Sequence, residues 1–122
     1  MSATRSMLVI DRSEIIAKLF AKIFEKLGWD VDTCGDRDSV IERLVGSKPY
    51  DSVLLSYRVP GTNGVELIAL IRALEHRRQT AVVMVTNNGE ATEQALAAGA
   101  DEVLLKPVNP NALIFAVDKH LW

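Results

Sequence analysis

The stretch LLSYRVPGTNG, residues 54–64, holds the transition that decides the fold of this chain. Its apolar residues suit a buried strand that ends at Ser56, and a turn with Pro60 and Gly61 then leads into a helical pattern. A strand, a short turn and an amphipathic helix are typical of one βα unit. Because strand ends present side chains to ligands, the identity of Ser56 bears on function.

The same alternation of strand and helix runs along the whole chain. Apolar, mostly β-branched runs predict five strands, at 6–10, 29–34, 50–56, 80–86 and 101–106. Amphipathic runs predict five helices, at 13–28, 37–46, 64–75, 90–99 and 109–122. Short connections in strict alternation imply parallel strands and right-handed crossovers. We therefore expect an α/β, flavodoxin-like fold: a doubly wound, five-stranded parallel sheet of order 2-1-3-4-5 with five helices.

The first predicted helix shows how its ends and buried face are inferred. The side chain of Ser13 can cap its N-terminus, and Gly28 suits its end. Large apolar residues recur at helical spacing and predict the face on the sheet: Ile16, Phe20, Ile23 and Leu27.

Composition limits the classes of function that need consideration. The 122 residues are 48% hydrophobic and 25% charged, with a net charge of -2, which is typical of one globular domain. Both signs of charge are interspersed, so we expect no nucleic-acid partner, and no apolar run is long enough to predict a membrane span. The only cysteine, Cys34, offers neither a disulfide nor a thiolate zinc site. We expect a cytoplasmic domain.

The predicted topology brings polar residues from four strand ends to one crevice. Doubly wound sheets bind ligands at the carboxyl ends of their central strands. The residues found there are Asp11 and Arg12 after the first strand, Ser56 after the third, Thr86 with its neighbour Asn87 after the fourth and Lys106 after the fifth. This set is the candidate site.

Four motifs in this order resemble the signatures of response-regulator receiver domains of the chemotaxis-regulator type: LVIDRS, LLSYRVPGTNGVEL, VVMVT and AAGADEVLLKP. The resemblance covers essentially the whole chain, 1–122, and suits the N-terminal part of a longer signalling protein. It implies a site in which two acidic residues after the first strand and an aspartate ending the third hold Mg²⁺. That aspartate accepts a phosphoryl group, and a hydroxyl residue and a lysine then reorient around it.

The resemblance assigns these roles only in part. Asp11 matches the first acidic residue, whereas Arg12 stands at the second and Ser56 at the phosphoacceptor. Thr86 and Lys106 match the hydroxyl residue and the lysine. Val103 stands where the family has an aromatic switch residue, and Pro107 resembles the residue after the family's cis peptide bond.

These departures predict that the pocket has lost phosphotransfer. Mg²⁺ needs oxygen ligands, typically carboxylates, and of the three only Asp11 remains. Arg12 and Lys106, with Arg58 at the rim, make the pocket basic, so we expect no Mg²⁺ and no other cofactor. We expect Asp11 to pair with Arg12 or with Lys106. Ser56 would need an adjacent base to act as a nucleophile, so we expect no enzymatic activity.

The last predicted helix carries apolar residues on two faces. Leu113, Val117 and Leu121 recur at helical spacing and should face the sheet. The opposite side carries a stripe that predicts an interaction surface: Ala112, Phe115, Lys119 and Trp122. Resemblance agrees, since receivers commonly dimerise or engage effectors through the fourth helix, fifth strand and fifth helix.

Two classes of function therefore stay open. The first is a phosphorylation-independent protein-interaction or dimerisation module in signal transduction. The second is a working phosphoacceptor or anion-binding switch that uses Ser56 or Asp11 in the basic pocket. Binding of Mg²⁺, or a phosphoryl adduct, would distinguish them.

Overall fold

The computed structural model of the chain describes residues 4–121. Its elements, in chain order, are β1 (Ser6–Ile10), α1 (Glu14–Glu25), β2 (Asp30–Cys34), α2 (Arg37–Val45), β3 (Ser52–Leu55), β4 (Arg58–Val59), β5 (Thr62–Asn63), α3 (Gly64–Ala73), a 3-10 turn (Glu75–Arg77), β6 (Ala81–Thr86), α4 (Ala91–Ala98), β7 (Glu102–Leu105) and α5 (Pro110–Asp118). The two-residue strands β4 and β5 pair with each other as an antiparallel hairpin outside the main sheet.

The main sheet confirms the predicted fold. Its order is β2-β1-β3-β6-β7, and all its strand pairs are parallel. Since β4 and β5 lie outside it, β6 and β7 are the predicted fourth and fifth strands, and the order 2-1-3-4-5 is correct. Every residue of β3 and β6 is buried, as expected for central strands covered on both faces.

The core consists of two apolar layers, one on each face of the sheet. Successive residues of β1 show this best, because Leu8 and Ile10 join one layer, whereas Met7 and Val9 join the other. The first layer packs against α2, α3 and α4, and the second packs against α1 and α5. The fold is therefore doubly wound, with the carboxyl ends of β1, β3, β6 and β7 at one edge of the sheet.

The face that α1 turns to the sheet differs from the prediction. Ser13 caps the helix as expected, because its side chain accepts a hydrogen bond from the Ile16 N–H. The fully buried residues are Ala17, Ala21 and Phe24, however, and the large residues of the predicted stripe lie at the margins of this face. Leu27 follows the end of the helix and is 54% exposed. Small alanines let the helix approach the sheet closely, which a search for large apolar residues overlooks.

No helix within residues 4–121 combines the length and the apolar character that crossing a bilayer requires.

Candidate functional site

A cleft of about 240 Å³ opens at the carboxyl edge of the sheet, and all six predicted site residues line it. They are Asp11, Arg12, Ser56, Arg58, Thr86 and Lys106. The chain order of the strands placed them correctly, because parallel strands end at the same edge. Asn87, which was also predicted at this crevice, lines it too, and so do three residues that were not predicted there: Tyr57, Val85 and Asn88.

Asp11 joins the end of β1 to the start of α1. Its backbone N–H donates to Cys34 O at 3.1 Å, and its carboxylate Oδ1 accepts a hydrogen bond from the Ser13 N–H at 2.8 Å. Only 6% of the residue is exposed. The carboxylate therefore lies near the floor of the cleft and orients the first turn of the helix.

The expected ion pairs of Asp11 are absent among residues 4–121. Neither Arg12 nor Lys106 brings a nitrogen within 4.0 Å of any carboxylate there, and both side chains are exposed. The Ser13 N–H already satisfies one carboxylate oxygen, and holding a long cationic side chain in one geometry costs conformational entropy. Arg58 is likewise exposed and unpaired within this part of the chain.

Ser56 follows the last residue of β3, and both its hydroxyl and its N–H contact backbone carbonyls. Its hydroxyl lies 3.3 Å from Ile10 O and 3.5 Å from Arg58 O, and its N–H donates to Ile10 O at 3.0 Å. Among residues 4–121, Asp11 is the only carboxylate that lines the cleft, and none of the lining residues is a histidine. Within the described chain, no base is hydrogen-bonded to the Ser56 hydroxyl.

The two histidines contact other parts of the structure. His76 lies in the 3-10 turn after α3, and its Nε2 atom is 3.0 Å from Gly46 O. The Nε2 atom of His120 lies 2.9 Å from Glu102 Oε1. A position at the end of a helix suggests a solvated ring, but this ring is half-buried. Neither ring is placed to activate Ser56.

Thr86 and the loop after it line the cleft at the end of β6. Thr86 is 3% exposed, and its Oγ1 accepts a hydrogen bond from the Asn88 N–H at 3.0 Å. Its carbonyl accepts from the Lys106 N–H at 2.8 Å, which ties the loop after β7 to the end of β6. The Lys106–Pro107 bond is cis, as the resemblance implied. Asn88, which was not predicted, also accepts from the Glu90 N–H and shapes the loop.

The predicted switch position lies away from this cleft. Val103 is half-buried in β7, where it pairs with Met84 of β6 and packs against the first apolar layer. It does not line the cleft.

The outward face of α5 carries the predicted apolar stripe. Leu113 and Val117 are buried against the sheet, and Leu121 packs at the edge of the same layer. On the opposite side, Phe115 is 67% exposed and Ala112 and Lys119 are exposed. Trp122, the last residue of the predicted stripe, lies outside the described residues.

Two further exposed leucines lie on α4 and β7, the elements that the resemblance groups with α5. Leu96 of α4 is 47% exposed and Leu105 of β7 is 54% exposed. Lys119 Nζ lies 5.3 Å from the centre of the Phe115 ring and 2.8 Å from Glu102 Oε1 of β7. We call Leu96, Leu105, Ala112, Phe115 and Lys119 the α4–β7–α5 surface.

Comparison with known proteins identifies the family. Residues 7–118 match the response regulator receiver domain. The chain belongs to this family, and its fold is that of the chemotaxis regulator CheY. It is a receiver domain of two-component signalling.

Individual relatives show the same class. The chain is 29% identical over 113 residues to the transcriptional regulatory protein ResD of Bacillus subtilis, and the matched region covers 91% of this chain and 45% of ResD. It is 30% identical over 113 residues to the phosphate regulon transcriptional regulatory protein PhoB of Escherichia coli, covering 90% of this chain and 48% of PhoB. The chain thus spans about half the length of these relatives. The chemotaxis response regulator CheY4 of Vibrio cholerae superposes with a TM-score of 0.89 at 22% identity, covering 98% and 100% of the two chains.

Proposed function

We propose that this receiver domain acts in two-component signalling without being phosphorylated, as a protein-interaction or dimerisation module with no enzymatic activity. The observation that carries the proposal is the lining of the cleft. Among the described residues, Asp11 is the one carboxylate in this lining, and three cationic side chains line the same cleft, those of Arg12, Arg58 and Lys106. This set of charges opposes the binding of a divalent cation.

The donors of the cleft do not fit the Mg²⁺ that the family uses. Mg²⁺ requires a near-octahedral set of oxygens and is usually held through carboxylates. Apart from Asp11, the lining offers only neutral oxygens, such as the amides of Asn87 and Asn88. Asn88 Oδ1 already accepts a hydrogen bond from the Glu90 N–H. In residues 4–121, no group of three or more histidine, cysteine or acidic side chains is arranged to hold a metal ion.

Ser56 also lacks the chemistry of a phosphoacceptor. A carboxylate is nucleophilic at neutral pH, whereas a serine hydroxyl needs a base to remove its proton. The Ser56 hydroxyl faces the carbonyls of Ile10 and Arg58, which accept its proton in a hydrogen bond without removing it. We therefore propose that Ser56 stabilises the end of β3 and takes no part in phosphoryl transfer.

The α4–β7–α5 surface supports the interaction part of the proposal. Three large apolar side chains, Leu96, Leu105 and Phe115, are each about half exposed or more on three different elements. Exposed apolar groups of this kind mark protein-interaction sites when they lie together. We propose a second copy of the chain or another protein domain as the partner, with no nucleic acid or membrane contact by this domain, and a cytoplasmic location.

A titration with Mg²⁺ tests the proposal. Amide shifts are followed by NMR in the wild type and in the double variant Arg12→Asp/Ser56→Asp, which restores the family's acidic residues. We expect no saturable shifts around Asp11 and Ser56 in the wild type at about millimolar Mg²⁺, and saturable shifts in the variant. Saturable binding by the wild type at these residues would refute the proposal.

A further inference from the structure

We propose that the cleft binds inorganic phosphate without forming a covalent bond, in the monohydrogen form that carries one proton. This inference rests on the proposed function, because it requires a cleft that holds neither Mg²⁺ nor a phosphoryl group. It assigns the basic pocket a ligand of its own.

The cations of the cleft have no acidic partner in the described chain. Arg12, Arg58 and Lys106 line the same cleft, and none forms an ion pair within residues 4–121. The chain has more acidic than basic residues, so the clustering does not follow from overall composition. Cationic groups that converge on one cavity repel one another, and an anion between them relieves that repulsion. Arginine in particular suits the oxygens of phosphate.

Neutral donors at the floor of the cleft complete an oxyanion site. Thr86 Oγ1 accepts from the Asn88 N–H, which leaves the hydroxyl proton available to an acceptor in the cleft. The Ser56 hydroxyl makes only long contacts, at 3.3 Å and 3.5 Å, so turning its proton toward a ligand costs little. Hydroxyl donors at the floor and cations at the rim together match an anion with several oxygens.

Asp11 determines which oxyanion fits. One of its oxygens accepts from the Ser13 N–H. The other oxygen has no hydrogen bond within residues 4–121. Among those residues, Ser52 Oγ is the only side-chain oxygen or nitrogen that is both fully buried and without a partner. The second oxygen of Asp11 is therefore accessible to solvent. An ionised carboxylate accepts hydrogen bonds but donates none. It therefore repels an oxyanion without protons and accepts a hydrogen bond from one that carries a proton.

This acceptor separates inorganic phosphate from similar anions. Monohydrogen phosphate keeps one proton near neutral pH, whereas sulfate has none. A phosphate monoester has its second pKa near about 6, so at about pH 7.5 it is mostly the unprotonated dianion. We therefore expect phosphate to bind more tightly than either.

The size and surroundings of the cleft agree with a small anion. About 240 Å³ is below the roughly 300–1,000 Å³ typical of pockets for larger organic ligands. A neighbouring cleft of about 560 Å³ shares Asp11 and Arg12 but is also lined by Glu14 and Asp36. Those carboxylates keep an anion on the side of Arg58 and Lys106.

Titration of the 122-residue chain with sodium phosphate, sodium sulfate and phenyl phosphate, at constant ionic strength and about pH 7.5, tests the inference by NMR. Phosphate should give saturable shifts at Asp11, Ser56, Thr86 and Lys106. Sulfate and phenyl phosphate should bind about tenfold more weakly, because each faces the Asp11 carboxylate without a proton to donate. Asp11→Asn should reduce this preference to about threefold or less, since an amide does not repel these anions.

Charge variants give the second readout. Arg58→Gln should weaken phosphate binding about tenfold. Arg5→Gln is the matched control, because Arg5 is an exposed cation before β1, at the edge of the sheet opposite the cleft. Its loss should change the affinity for phosphate less than about twofold. Shifts that do not saturate, equal binding of sulfate and phosphate, or equal effects of the two variants would each overturn the inference. If the cleft binds neither phosphate nor Mg²⁺, only this inference is rejected. If the cleft binds Mg²⁺, the proposed function is rejected as well.

Discussion

Replacing Phe115 by glutamate should prevent self-association while leaving the fold intact. The ring is 67% exposed on the outward face of α5, so its removal opens no cavity in the core. Its contacts in the monomer are limited to the surface, where Lys119 Nζ lies 5.3 Å from the ring centre. The substitution therefore changes the α4–β7–α5 surface and little else.

The exposed fractions give the size of the effect. Complete burial of a Phe or Leu side chain stabilises by about 1.5–3 kcal/mol. Covering the exposed 67% of Phe115, 47% of Leu96 and 54% of Leu105 then gives about 2.5–5 kcal/mol per protomer. A symmetric dimer counts this twice, about 5–10 kcal/mol, against a cost of association of about 4–15 kcal/mol. The gain and the cost are of similar size, so we expect a dimer that is at most weak, and a buried glutamate on each side, at several kcal/mol of desolvation, should abolish it.

Sedimentation velocity over a wide range of concentrations measures the effect. We expect concentration-dependent association of the wild type, a monomer for Phe115→Glu, and wild-type behaviour for Ile15→Glu. Ile15 is a matched control, because it is 74% exposed on α1, away from this surface. At a concentration where the wild type is monomeric, thermal melts should be the same for all three proteins. Equal loss of association in both variants would refute the reasoning, as would a monomeric wild type whose partner contacts survive Phe115→Glu.

Two predictions concern stability. Arg77 is 1% exposed and donates three hydrogen bonds of 2.8–3.1 Å to carbonyls at the C-terminal end of α2. Arg77→Met should therefore lower the free energy of unfolding by about 3–5 kcal/mol. Arg78→Met, at the exposed neighbouring residue, should lower it by under about 0.5 kcal/mol. Urea denaturation measures both, and similar values for the two variants would be inconsistent with this capping role. Burial opposes the charge of Asp32, but hydrogen bonds from Lys48 and Tyr50 outweigh burial and lower its pKa from the usual 3.8. The stability it contributes is present above that value and lost as pH falls through the lowered pKa. Asp32→Asn should therefore flatten the fall in stability below about pH 4, and an unchanged slope would contradict this.

The arrangement of the main elements was predictable because apolar residues recur along the sequence with the spacing of strands and of helices. β6 is apolar from Ala81 to Val85 and lies inside the sheet, whereas the alternating residues of β2 suit its place at the edge. The hairpin of β4 and β5 was not predicted, because strands of two residues are too short to show a period. At its turn, Gly61 has a φ of 87°, a conformation that glycine adopts readily.

The candidate site was predictable as a set of residues but not as a set of contacts. Parallel topology alone brings Ser56, Thr86 and Lys106 to one cleft. Whether Asp11 pairs with a cation or with a backbone N–H depends on side-chain conformations that the sequence does not carry. The carboxylate accepts from the Ser13 N–H, and the expected ion pairs do not form among the described residues.

The exposed leucines of the interaction surface were missed for a related reason. The run DEVLLK has the composition of a buried strand, but β7 lies at the edge of the sheet and Leu105 at the end of β7. Leu96 belongs to a short helix with little apolar periodicity, so its 47% exposure follows from the pose of α4 on its neighbours.

Intact mass after incubation with Mg²⁺ and acetyl phosphate tests most directly the claim that this receiver works without phosphorylation. The protein is denatured at neutral pH before the mass is measured, so that an acyl phosphate survives. We predict an unmodified mass for the wild type, because within the described residues no base is hydrogen-bonded to the Ser56 hydroxyl, and because three cations share the cleft with Asp11. The Arg12→Asp/Ser56→Asp variant should gain the mass of one phosphoryl group. A stoichiometric phosphoryl adduct on Ser56 or Asp11 of the wild type would contradict the account.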